Sequence, residues 1–152
     1  MEQLVHGTCV ALGGSCALLR GPSGIGKSDL ALRFLFLSET RLKASPQLVA
    51  DDQVLLHRLG PKLFASCPPP LCGKLEIRGL GIATIEPAPL RAELKLLADL
   101  DGRAVEVRYP QQDDYETILG VRVPRISLDP FEASAPLKIA LILGGAFERS
   151  SS

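Results

Sequence analysis

The sequence predicts a single α/β domain built on a β-rich mixed sheet. Three observations carry that expectation. Short apolar runs recur along the chain, separated by glycine- and proline-bearing turns. One such run leads through a glycine-rich loop directly into a helix-like stretch rich in Leu, Ala and Phe. No internal repeat or composition break divides the 152 residues, a length ordinary for one domain, so that domain is expected to span residues 1–152.

The elements follow in order. Leu4 to Leu12 reads as a strand, Gly13-Gly14 as a tight turn, and Ser15 to Arg20 (SCALLR) as the returning strand. Lys27 to about Ser38 places Leu30, Phe34 and Leu35 on neighbouring turns, which predicts a helix buried among other elements. Gln47 to Ala50 is a short apolar strand ending in Asp51-Asp52. Val54 to Arg58 and Lys62 to Ala65 form a hairpin across Leu59-Gly60-Pro61. Consecutive prolines make Ser66 to Leu71 an extended loop. Leu75 to Arg78, Ile82 to Ile85, Ala92 to Leu97 and Ala104 to Arg108 are β-like, the last two joined at Asp101-Gly102. Glu132 to Leu143 is the second helix, with Ser134 the expected N-cap.

Composition removes several classes of function. Lys+Arg and Asp+Glu number 17 each, so no net field attracts nucleic acid or an acidic membrane. No apolar run is long enough to span a bilayer, and MEQLVHGT lacks the features of a signal peptide, so a cytoplasmic location is expected. In that compartment Cys9, Cys16, Cys67 and Cys72 do not imply disulfides. The Cys67/Cys72 pair also lacks the second Cys/His pair that a zinc site needs.

Gly21-Pro22-Ser23-Gly24-Ile25-Gly26-Lys27-Ser28 matches the P-loop pattern GxxxxGK(S/T) in full. The spacing has a physical basis. Glycines let backbone N–H groups turn inward as an anion nest, and the helix starting near Lys27 adds free amides and a positive dipole end. Lys27 can reach the β- and γ-phosphates, and the Ser28 hydroxyl can take a Mg²⁺ position. Chance alone produces such a match in roughly one chain of this length in a few hundred. LVADD (Leu48 to Asp52) adds an apolar strand ending in carboxylates, the means by which P-loop proteins place an acid near Mg²⁺ or the attacking group. In a strand, Asp51 and Asp52 point to opposite faces and so take different roles.

With these residues in view, the sequence resembles the HPr kinase/phosphorylase family, bacterial protein-serine kinases of the phosphotransferase system. The phrases that carry the resemblance are VHGTCVAL around His6, GPSGIGKSDLAL, LVADD and LEIRGLGI from Leu75 to Ile82, in that order. The resemblance runs from His6 to about Pro124 and is to the catalytic domain alone, the short type known from alphaproteobacteria. It implies the fold of the HPr kinase C-terminal domain, which is PEP carboxykinase-like. It also implies ATP and Mg²⁺ as cofactors, an HPr-like phosphocarrier as partner, and a homo-oligomer that is hexameric in the family. By position, His6 matches the histidine near the transferred phosphate, and Lys27 and Ser28 match the phosphate lysine and the Mg²⁺-binding hydroxyl. Asp51 matches the base that takes the serine proton, Glu76 the second Mg²⁺ ligand, and Arg108 the catalytic arginine, with Arg91 and Arg103 as alternatives. His57 has no such match.

Two stretches depart from the family pattern. Ser38 to Gln47 reads SETRLKASPQ instead of the short link. After Pro124 the chain reads RISLDPFEASAPLKIALIL where long members carry a Pro/Gly/Arg-rich loop tied to dephosphorylation. The implied activity is therefore the kinase, with the phosphorolytic reverse reaction left open. Two other readings use the same motifs: a nucleotide-sensing regulatory module with little or no transfer, and a P-loop kinase of a small molecule.

Overall fold

Alternation of buried side chains on both faces of short strands is what builds this molecule. The computed structural model describes residues 1–37, 44–86, 91–102 and 114–145. In chain order the strands are β1 (Glu2–His6), β2 (Thr8–Leu12), β3 (Ser15–Arg20), β4 (Pro46–Ala50), β5 (Gln53–Leu59) and β6 (Lys62–Ser66). They continue with β7 (Lys74–Ile77), β8 (Gly81–Thr84), β9 (Ala92–Leu100), β10 (Tyr115–Ile118) and β11 (Val121–Leu128). The helices are α1 (Lys27–Leu35) and α2 (Ala135–Leu143).

The main sheet runs β1-β5-β6-β9-β3-β2-β4, and β9 is its pivot. One edge of β9 pairs in parallel with β3, from Glu93 opposite Ser15 to Asp99 opposite Arg20. Its other edge is shared. Ala92 and Glu93 pair with β6, whereas Leu97 to Leu100 pair in parallel with Arg125 to Leu128 of β11. β3, β9 and β11 thus run in parallel and end side by side, the end at which ligands sit in mixed and parallel sheets.

Both faces of this sheet are covered. Val10, Leu12, Ala17, Leu19, Leu96 and Ala98 pack under α1 and α2 with Leu30, Phe34 and Ile139. Their neighbours Cys9, Ala11, Cys16, Leu18 and Leu94 face the second core with Val54, Leu56 and Leu63. TCVAL of β2 is buried at every position for this reason.

Several expectations change in detail. Leu4 to Leu12 is two strands, not one, because the chain bends at Gly7. A Cβ there would lie 2.8 Å from both Leu18 Cδ1 and the Leu19 carbonyl oxygen. The first helix ends at Leu35. The second begins at Ala135; Ser134 holds its N-cap position, but its hydroxyl makes no capping bond. β7 and β8 form a separate two-stranded hairpin. Cys67 and Cys72 are bonded, although the cysteine pattern does not imply a disulfide. Their Cα atoms lie 5.5 Å apart, within the range a disulfide spans, while Cys9 and Cys16 stay free and buried. β10 and β11 are strands for which the sequence offers no clear signal, and Ala104 to Arg108 lies outside the described residues.

Candidate functional site

β3 delivers the chain into the loop, and the loop into α1. Gly24 (φ 85°) and Gly26 (φ 106°) adopt left-handed backbone that lets successive amides turn toward one side. Gly26 is the residue from which α1 starts, and its carbonyl accepts the first helical bond, from Leu30 N–H at 2.9 Å. Pro22 is closed against Ile25 by an Ile25 N–H to Pro22 carbonyl bond of 3.2 Å. Lys27 is buried at 9% exposure, and its ammonium donates to the carbonyls of Gly21 (2.6 Å) and Pro22 (3.0 Å). Burial lowers its pKa from the ordinary lysine value, opposed by the negative charges of Asp51 and Asp52. Ser23 and Gly24 form the exposed crown of the loop.

Asp51 is the hub. Its Oδ1 accepts from Thr8 Oγ1 at 2.9 Å and from Ser28 Oγ at 3.2 Å, and its Oδ2 accepts from the Glu76 backbone N–H at 3.1 Å. One carboxylate therefore joins β2, the P-loop helix and the β7–β8 hairpin. A carboxylate offers four lone-pair sites, so one on Oδ2 is left for a further donor. Asp52 turns the other way. Its Oδ1 lies 3.3 Å from His6 Nδ1, and its carbonyl accepts from Gly7 N–H at 3.0 Å. The two acids diverge as expected, though the cause is a bend with Asp52 at φ 72° rather than strand alternation.

The bend belongs to a longer feature. Glu2 to His6 pair with His57 to Gln53, and Cys9 pairs with Ala50, so one antiparallel ribbon passes through the site. The ribbon opens only between His6–Thr8 and Ala50–Gln53, where His6, Asp51 and Asp52 are displayed.

Hydrogen bonds thus join Ser28, Asp51 and the amide of residue 76 beside Lys27 and the loop formed by Gly21 to Gly26, while His6 pairs with Asp52, the next residue along. For Glu76 the fixed contact is its backbone amide; its side chain is exposed. Arg108 and Arg103 lie outside the described residues. Arg91 stacks over Phe64 at 4.6 Å, and Phe64 also stacks on His57. Thr8 was missed by sequence reasoning, although it is the one hydroxyl in an otherwise apolar strand and is 1% exposed. Thr8→Val is expected to remove one of the three bonds to Asp51, lowering stability by about 1 kcal/mol. Chemical denaturation checks this, and an unchanged midpoint would mean the bond contributes nothing net.

Beside the loop, at the ends of β3, β9 and β11, lies a cleft of about 600 Å³ lined by Pro22, Ile25, Asp99, Leu100, Asp101, Gly102 and Ser127. One of its lining acids, Asp99, is held by Arg20, the residue before the loop. Arg20 forks onto Asp99 (2.7 and 3.1 Å) and onto Glu116 (2.7 and 2.9 Å), with Arg125 on the far side of both acids at 3.9 and 3.6 Å. The two carboxylates raise the Arg20 pKa further, chiefly through the Glu116 hydrogen bond, and that same bond lowers the Glu116 pKa.

Comparison with known proteins places this architecture. The profile of the HPr Serine kinase C-terminal domain matches residues 1–142. An HPr kinase/phosphorylase of Nitrosomonas europaea is 35% identical over 133 residues, covering 80% of this chain and 39% of that protein. The one from Bordetella petrii is 31% identical over 152 residues, covering 93% and 46%. The solved structure of the Hpr(Ser) kinase/phosphatase from Coxiella burnetii superposes with a TM-score of 0.70 at 25% identity, over 95% of each chain. This chain therefore spans less than half the length of the first two relatives. With residues 1–142 matched and the fold shared, the chain belongs to the HPr Serine kinase C-terminal domain family.

Proposed function

We propose that this chain is the catalytic unit of an ATP- and Mg²⁺-dependent protein kinase that phosphorylates a serine on an HPr-like phosphocarrier. The observation that carries the reading is the Asp51 carboxylate, 3.2 Å from the P-loop hydroxyl of Ser28 and with lone-pair capacity left on Oδ2. A sensor of nucleotide needs the loop but has no use for a base beside it.

The donor chemistry suits the cation. Among the described residues no cluster of three or more His, Cys, Asp or Glu forms a metal cage. Mg²⁺ does not ask for one, since it keeps several waters and takes one or two protein oxygens plus substrate phosphates. Ser28 Oγ and the Glu76 carboxylate would hold it, and when bound it neutralises charge on the phosphates. The rest falls to the chain. The nest formed by Gly24, Gly26 and the α1 amides grips the phosphates, and Lys27 turns from its carbonyl partners to offset their charge. Asp51 Oδ2 accepts the proton of the serine hydroxyl as that oxygen bonds to the γ-phosphorus and the bond to the β–γ bridging oxygen breaks, releasing ADP. His6 is held through Nδ1 by Asp52, which leaves Nε2 as the nitrogen for a role near the transferred phosphate.

The test is direct. Labelled ATP, Mg²⁺ and an HPr-type carrier are expected to give acid-stable phosphoserine on the carrier. Nucleotide binding without transfer would overturn the kinase reading and favour the regulatory module. Excess phosphate added to the phosphorylated carrier tests the reverse direction, in which pyrophosphate is the product.

A further inference from the structure

The phosphate loop accounts for the triphosphate of a nucleotide and leaves its nucleoside without a place. The cleft beside it supplies one. Its lining includes Pro22 and Ile25 of the loop, the apolar Leu100 and the hydroxyl-bearing Ser127. The cleft adjoins the loop through Pro22 and Ile25, where three parallel strands end together.

Next to Gly102 of the cleft lies Phe131, 66% exposed. Its backbone is not free to hide the ring. Phe131 N–H donates to Asp129 Oδ1 at 3.0 Å, and Arg33 of α1 donates to the carbonyls of Glu132 (3.3 Å) and Pro130. The ring spans two glycines. A Cβ on Gly102 would lie 3.3 Å from Cε2, and one on Gly26 would lie 3.6 Å from Cε1. A phenyl presented on a braced turn, with side chains absent on both sides of it, keeps apolar area in water that a flat aromatic ligand could cover.

We infer that the cleft is the nucleoside subsite of the proposed ATP site, with Phe131 as the face on which the base stacks and Ser127 as a hydroxyl partner for the ribose. The assignment rests on the nucleotide reading of the P-loop, and its test separates the two. Base stacking on one aromatic side chain changes affinity by about tenfold or more. In the presence of Mg²⁺, the wild-type chain is expected to bind ATP at least about tenfold more tightly than inorganic tripolyphosphate. Phe131→Ala should bring the two affinities close together by weakening ATP alone. The chain contains no tryptophan, so Phe131→Trp adds a single reporter. Its emission should change with ATP and stay constant with tripolyphosphate. If Phe131→Ala leaves the ratio at its wild-type value while both ligands bind, Phe131 is not the platform and the assignment falls alone. If wild type binds neither ligand, the nucleotide reading of the loop falls and takes the assignment with it.

Discussion

Asp51→Asn is expected to lower phosphoryl transfer about 10²- to 10⁴-fold while ATP affinity changes little. An amide cannot take the serine proton, and the nucleotide is held by the loop rather than by this side chain. The substitution also has a structural cost. Asp51 presently meets a donor on each oxygen: Thr8 and Ser28 on Oδ1, the Glu76 amide on Oδ2. An Asn that keeps its carbonyl oxygen on the Glu76 amide turns its NH₂ toward Thr8 and Ser28, whose hydroxyls must then reverse to accept. All three bonds also lose their charge-assisted character, a cost that the denaturation midpoint would show. Asp52→Asn is the comparison variant: Asp52 is 69% exposed at the side chain and acts through His6 rather than on the loop, so its loss of transfer should be the smaller. Single-turnover transfer with ATP affinity measured in parallel checks the pair. Transfer by Asp51→Asn at the wild-type rate would remove Asp51 as the base.

Arg20→Met is expected to destabilise the fold by about 2 kcal/mol. Removing one partner from a fully buried ion pair costs about 3–5 kcal/mol. Here Asp99 and Glu116 are 38% and 34% exposed, so water screens part of that loss. Arg125 stays near both acids and limits it further. The variant should also respond differently to acid. Arg20 holds the Glu116 pKa below its unfolded value, so the associated stability is complete above about pH 4.3 and is lost as pH falls through the lower folded value. Urea midpoints at pH 7 and between pH 2 and 5 would show a wild-type decline that Arg20→Met largely lacks. Parallel declines in the two proteins would rule out this linkage.

The Asp51 result follows from local sequence, whereas the Arg20 result does not. The P-loop, the Gly13-Gly14 turn and the hydrophobic period of α1 are signals between residues a few positions apart. The structure reproduces them closely, with Ser15–Arg20 and Lys27 where they were expected. Arg20 and Glu116 are 96 positions apart, and nothing at either end advertises the other. β11 escaped for a different reason. Pro124 lies in its middle, which ordinarily argues against a strand. Here it lies where β11 changes partner: Val121 to Pro124 pair with β10, and Arg125 to Leu128 with β9. A residue with no N–H is tolerated at that handover. Asp51 was legible from LVADD, whereas Thr8 and the His6–Asp52 pair depend on a bend that the sequence marks only with Gly7.

The ribbon through the site also sets where the chain can change length. Its pairing keeps one register from Glu2 opposite His57 to Cys9 opposite Ala50, straight across the bend. Because strand side chains alternate, one residue added or removed between His6 and Thr8 would exchange the faces of everything on one side of it. Cys9 and Ala11 would trade places with Val10 and Leu12 between the two cores, and Thr8 would turn away from Asp51. Additions before Glu2 or at the Gly60 turn leave that register alone. A scan of single-residue insertions should therefore find the chain least tolerant not at its most buried strand but at the bend beside the candidate base.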